Sequence, residues 1–159
     1  MSTDFLNIAG IFKINTDLFK RTIQGIPSDR LLAKPADDSN HLLWIAGHVV
    51  VHRARVLKLL GQEWSAPWEQ LFARGATLAA DDQYPGINEL VPIWDEVSGR
   101  LATSLASASP EALAEPVSKG MTLDGKISGQ ISFLALHESY HVGQMAYLRK
   151  WLGFGQAIG

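Results

Sequence analysis

The sequence predicts an all-α protein, a four-helix bundle with a long irregular connection between helices 2 and 3. Four long segments carry apolar residues at steps of three and four, and no stretch alternates apolar and polar residues as a half-buried strand does. One long crossover between otherwise short connections is typical of some helix bundles. The 159 residues suit a single domain over 1–159, large enough to bury a core without disulfides.

The first helix is predicted from Phe5 to a stop at Gly25-Ile26-Pro27. A polar connection follows, and its Asp37-Asp38-Ser39-Asn40 cluster is expected to supply the N-cap of the second helix. That helix is predicted over residues 41–60, with Gly61 as the left-handed residue after its end. His41, at the helix start, is expected to be exposed.

Residues 62–86 form the least regular part of the chain. They contain prolines and glycines but also four large aromatic residues, Trp64, Trp68, Phe72 and Tyr84. A disordered linker would not carry so many large apolar groups, so we predict an ordered connection with one short helix at about 67–74. Three roles are open to these aromatic residues: covering the mouth of a site, forming a dimer contact, and closing one end of the bundle, of which the sequence favours the last.

The third helix is predicted at about 88–107 and contains no histidine, which indicates a structural role. A further helical turn can start at Ser109-Pro110-Glu111. The last helix is predicted at about 128–152, with Gly153 as its C-cap.

The last helix carries the most specific motif, His137-Glu138-Ser139-Tyr140-His141. Residues four apart share one helix face, so His137 and His141 can bind one metal ion together. His-Glu-x-x-His is also the zinc-peptidase pattern, in which the glutamate is the general base. However, residues 142–159 contain no His, Asp, Glu or Cys, so a third ligand must come from upstream. This excludes the usual peptidase layout.

The second predicted helix offers candidates for that third ligand. His41, His48 and His52 lie near one face of the helix, with Trp44 on the same face. An isolated histidine of this kind is more often a partly buried side chain bonded to a neighbour than a ligand. His48 differs because apolar residues flank it on both sides, and a buried imidazole needs a strong partner such as a metal. His52, one turn on, is its rival.

Two stretches resemble the signatures of a known family. Leu42-Leu43-Trp44-Ile45-Ala46-Gly47-His48 and the segment from Leu136 to Arg149, with His-x3-His followed by Gly143-Gln144, are similar to the DinB-like (DNA-damage-inducible) four-helix-bundle superfamily. The similarity in helix order covers nearly the whole chain. By motif position, the resemblance implies a metal triad of His48, His137 and His141, and it favours His48 over His52.

The resemblance also implies a divalent metal cofactor, zinc or nickel, a homodimer, and a transferase that acts on a small molecule with a low-molecular-weight thiol. Metal coordination would lower the pKa of that thiol. Two alternatives remain: a metal-dependent hydrolase with Glu138 as general base, and a non-catalytic metal- or ligand-binding stress protein. Glu138 is expected either to reach the pocket edge or to face solvent. Gln144 is expected either to orient a metal ligand or to form a plain interhelical hydrogen bond.

Composition narrows the remaining classes of function and location. The net charge is -2 and the basic residues are scattered, which argues against nucleic-acid binding. With no cysteine in the sequence, any thiol chemistry requires a thiol from outside the chain. Residues 1–5 lack the features of a signal peptide and no run approaches the length of a membrane span, so we expect no membrane association and a cytoplasmic location.

Overall fold

A computed structural model describes the backbone of residues 3–157 and the side chains of residues 5–157. Its α-helices are α1 (Thr3–Ile23), α2 (Leu42–Leu59), α3 (Ile87–Ser107), α4 (Pro110–Ala114) and α5 (Ile127–Trp151). Within this part of the chain there is no β-strand, and the one isolated bridge joins Pro116 to Lys126. The predicted all-α class is confirmed. None of the helices in residues 3–157 has the length and apolar character needed to cross a bilayer.

The four long helices surround one apolar core. α1 packs against α3 and α5, and α2 packs against the same two helices from the other side, while the short α4 lies on α5. α2 is the most buried element, because every residue from Leu42 to Ala54 is buried. A helix that is apolar around its whole circumference is typically enclosed by the protein. The two histidines in the middle of α2 therefore lie inside the molecule.

The start of α2 differs from the prediction. Its N-cap is His41, whose Nδ1 accepts a hydrogen bond of 3.0 Å from the backbone N–H of Trp44. His41 is only 2% exposed and meets the ring of Tyr84 edge to face at 4.8 Å. The expectations that residues 37–40 cap the helix and that His41 is exposed were both wrong. An imidazole nitrogen with a free lone pair caps a helix as an oxygen does, and tertiary packing covers the ring.

The ends of α2 and α5 agree with the prediction. Gly61 follows α2 with φ of +74°, and Gly153 follows α5 with φ of +88°. Both values lie in the left-handed region, which glycine adopts at little steric cost. The predicted limits of the third and last helices differ from those of α3 and α5 by one residue.

Between α2 and α3 the chain forms two short 3-10 helices, Glu69–Phe72 and Asp81–Gln83, and no α-helix. The helix predicted at 67–74 is therefore the first of these 3-10 turns. Phe72 is buried against α2 at Gly47, where a Cβ atom would lie 2.4 Å from the Phe72 ring. The indole Nε1 of Trp44 donates to the carbonyl of Leu71 at 3.1 Å. These contacts fix residues 71–72 along one side of α2.

Candidate metal centre

Four imidazole rings meet where α2 faces α5. His48 and His52 are one turn apart on α2, and His137 and His141 are one turn apart on α5. Ring centroids are 4.9 Å apart for His48 and His141 and 3.9 Å apart for His52 and His137. The i, i+4 spacing directs both rings of each pair to the same helix face. The structure therefore brings together the predicted triad of His48, His137 and His141, and also the rival His52.

The nitrogen atoms of these rings approach each other closely. His137 Nε2 and His141 Nε2 are 3.2 Å apart. One nitrogen from each of His48, His52 and His137 lies within 4.8 Å of the other two. Nitrogens this close can bind one divalent cation together, at bond lengths of about 2.0–2.1 Å, only where their lone pairs point at the same position.

Two of the histidines are oriented by hydrogen bonds on the nitrogen that points away from the cluster. His48 Nδ1 donates to the carbonyl oxygen of Phe72 at 2.7 Å, and His141 Nδ1 donates to Gln144 Oε1 at 2.7 Å. With its proton on Nδ1, each ring has a lone pair on Nε2, the nitrogen a metal would bind. Metal-binding histidines commonly donate their other N–H to a carbonyl in this way. Gln144 thus orients His141, the first of the two roles expected for it.

His52 is placed differently from the other three. Its ring is stacked on that of His137 with an angle of 17° between the planes, so in-plane lone pairs on the two rings do not converge on one point. His52 and His137 therefore do not both suit the same ion in this arrangement, although His52 is close enough by distance. His48 and His141 are inclined to each other by 76°, which lets their lone pairs converge.

The cluster carries little positive charge of its own. Burial and, to a smaller extent, repulsion from neighbouring imidazoles lower the pKa of His48 and His137 to about 4 and that of His52 to about 2. Burial also lowers the pKa of His141. At neutral pH the rings are neutral and their lone pairs are available to a cation.

The donor set fits a divalent metal. The Nδ1 atoms of His52 and His137 are buried and have no hydrogen-bond partner among the described residues. A cation held by Nε2 of His137 would not contact these Nδ1 atoms, so the fit depends on the neutral nitrogen donors that face the cluster. Neutral imidazole suits zinc, copper, iron and nickel.

The histidines form the floor of a cavity of about 930 Å³. Trp44 stands beside them, stacked on the His48 ring at 4.9 Å, and Phe133 and Tyr140 add further aromatic wall. The rim is built from two loops, residues 74–75 and residues 119–121. The first belongs to the connection between α2 and α3, so part of that connection does border the site. The volume is in the range of small-molecule binding sites.

Glu138 takes no part in this cavity. It is 1% exposed, and its two carboxylate oxygens accept hydrogen bonds of 2.9 and 2.8 Å from Nε and Nη2 of Arg53. The expectations that it reaches the pocket edge or faces solvent were wrong, because the turn of the helix directs it into the core. A carboxylate held by a buried arginine on both oxygens is not placed to act as a general base, and this removes the basis of the hydrolase alternative.

Arg53 in turn joins all four long helices. Its Nη1 donates to Thr16 of α1 and Ser98 of α3, and its Nη2 donates to the carbonyl of Phe12 as well as to Glu138 of α5. Its guanidinium lies 3.7 Å from the centroid of a Trp94 ring. Since Arg53 follows His52 and Glu138 follows His137, this ion pair fixes α2 against α5 directly behind the histidines. An arginine within the apolar run of α2 was the one sequence signal that pointed to it.

Comparison with known proteins identifies the family of the chain. No curated protein matches the chain. A family model described as the DinB superfamily matches residues 11–145, a span that includes His48, His137 and His141. The chain belongs to the DinB superfamily.

Proposed function

We propose that this protein binds one divalent metal ion, zinc or nickel, through His48, His137 and His141. Membership of the DinB superfamily and the convergence of these rings support the proposal. His48 and His141 have the hydrogen-bonded Nδ1 of typical metal ligands, and His137 is 3.2 Å from His141 through Nε2. Three nitrogen ligands leave positions open for a substrate, as in catalytic rather than structural sites.

The fold proposed around this site is a single-domain four-helix bundle. α1, α2, α3 and α5 are its four helices, and residues 60–86 are the long connection between the second and third of them. The pairwise packing of α1 and α2 against α3 and α5 supports this arrangement. We further propose that the protein is a cytoplasmic homodimer, whose mass in solution would be close to twice 17.4 kDa.

The activity proposed is that of a metal-dependent transferase that uses an exogenous low-molecular-weight thiol. The observation that carries it is the large cavity above the histidines, which leaves room beside the metal for a thiol and a second small molecule. The sequence has no cysteine, so the thiol must come from solution. When bound, a divalent metal supplies Lewis acidity that lowers the pKa of a thiol to near neutrality.

The chain's own groups set up this chemistry. Phe72 and Gln144 keep the Nε2 lone pairs of His48 and His141 available to the metal. Trp44 and Phe133 contribute apolar surface to the lining, which reduces the contact of water with a bound thiolate and its electrophilic partner.

A conjugation assay tests the activity. Zinc- or nickel-loaded protein is incubated with a small thiol and 1-chloro-2,4-dinitrobenzene, and formation of the thioether is followed by absorbance. We expect turnover that requires both metal and thiol and that is lost in His48→Ala and His141→Ala. Metal-loaded protein that forms no adduct with any of a panel of thiols would leave the non-catalytic metal-binding alternative.

A further inference from the structure

The cavity above the histidines has a cationic wall. Four of its lining residues are basic, namely Arg55, Lys58, Arg74 and Lys119. No aspartate or glutamate lines it among the side chains of residues 5–157. The chain as a whole has a net charge of -2, so this concentration of positive charge is local. Such a lining attracts anionic small molecules.

These basic groups are not neutralised within the described side chains. The ion pairs among residues 5–157 are Lys20–Asp95, Arg53–Glu138 and Arg100–Glu96. Arg55 and Lys58 also border a neighbouring depression that contains Glu63 and Glu69. Arg74 and Lys119 do not, and therefore contribute the positive charge that is specific to the histidine cavity.

Arg74 and Lys119 stand on backbone that is held in place. Arg74 is two residues after Phe72, which is buried against α2 and accepts the His48 hydrogen bond. The carbonyl of Lys119 accepts a hydrogen bond of 2.9 Å from Gln130 Nε2 on α5. Gly120 beside it has φ of +95°, which permits the tight loop at the rim. Both residues therefore lie on loops that hydrogen bonds to α2 and α5 hold beside the cavity.

We propose that this cavity takes an anionic small molecule, whose carboxylate or phosphate group pairs with Arg74 and Lys119 while its other end reaches the histidines. Arginine and lysine are the usual partners of both oxyanions. For the thiol of the proposed transferase, this means a thiol that carries carboxylate or phosphate groups rather than a neutral or cationic one. That last point rests on the proposed function, whereas the oxyanion site does not.

A dianionic thiol and a neutral thiol provide the test, and variants of the basic residues separate the effect of charge from that of size. Cobalt(II)-loaded protein is titrated with mercaptosuccinate and with neutral 2-mercaptoethanol, and binding is read from the thiolate-to-cobalt charge-transfer absorption. In parallel, metal-free protein is titrated with succinate and with inorganic phosphate, and the amide signals of residues 74–75 and 119–121 are followed by NMR. The variant Arg74→Gln/Lys119→Gln is compared with Lys13→Gln/Lys150→Gln, which removes the same charge outside the cavity.

We expect mercaptosuccinate to bind at least about tenfold more tightly than 2-mercaptoethanol, and the Arg74→Gln/Lys119→Gln variant to lose that preference while the control keeps it. We also expect succinate or phosphate to shift the rim signals, and the stronger of the two identifies the oxyanion. Equal affinity for both thiols, or an equal loss in both variants, would overturn the proposal. Failure to bind cobalt would refute the metal site alone, since the NMR titration still tests the oxyanion site.

Discussion

The substitution Glu138→Gln separates a structural role of this carboxylate from a catalytic one. Arg53 and Glu138 are each 1% exposed, and all five N–H groups of Arg53 have acceptors, two of them on Glu138. Glutamine removes the negative charge and turns one acceptor into a donor that faces an arginine N–H. Breaking one side of a buried ion pair typically costs about 3–5 kcal/mol, because the other charge stays buried and unpaired.

Urea unfolding of metal-free protein in the presence of chelator measures this cost. The matched control is Glu96→Gln, which breaks the exposed i, i+4 pair with Arg100 and is expected to cost only about 0.3–0.5 kcal/mol. Retention of wild-type stability to within about 1 kcal/mol by Glu138→Gln, together with loss of a metal-dependent activity, would refute this reasoning and return Glu138 to the role of general base.

Two further substitutions test the surroundings of the site. Gly47→Ala places a methyl group 2.4 Å from the Phe72 ring, so we expect the free energy of unfolding to fall by about 1–3 kcal/mol. We also expect weaker metal binding, because displacement of Phe72 breaks its hydrogen bond with His48. Unchanged metal affinity in a chelator competition would show that the Phe72 carbonyl does not affect metal binding. His41→Asn keeps a capping group but removes an imidazole whose pKa burial lowers from 6.5 to about 4. Between these pH values the unfolded chain binds a proton at His41 that the folded chain does not, so this term of stability is present above pH 6.5 and is lost as the pH falls toward 4, by up to about 3 kcal/mol. Urea unfolding between pH 7 and pH 4 should show a smaller decrease in unfolding free energy for His41→Asn than for wild type. An equal decrease in both proteins would contradict the contribution assigned to His41.

The sequence was most informative where function depends on local periodicity. The four-residue spacing of His137 and His141 predicts that they share one helix face, and the apolar setting of His48 makes it a candidate third ligand. The choice of His48 over His52 depends on the family resemblance and stays a prediction. The sequence also predicts the ends of α2 and α5 at Gly61 and Gly153, because the left-handed conformation at a helix end favours glycine whatever surrounds it.

The features that were missed depend on contacts between distant segments. Glu138 was assigned to the pocket edge or to solvent because its partner, Arg53, lies 85 positions earlier in the chain. The Phe72 carbonyl that orients His48 is a backbone atom, to which no sequence motif points. The sequence predicts an exposed His41 because its position at a helix start gives no sign that Tyr84 covers it.

The most direct test of the metal site is elemental analysis of untagged protein, wild type beside His48→Ala, His137→Ala and His52→Ala. We predict about one zinc or nickel per wild-type chain, lost in the first two variants and retained in His52→Ala, whose parent ring is stacked on His137 and does not point at the same ion. Wild-type protein that holds no metal after incubation with zinc and nickel, or loss of metal in His52→Ala, whether or not the other variants also lose it, would contradict the proposed triad.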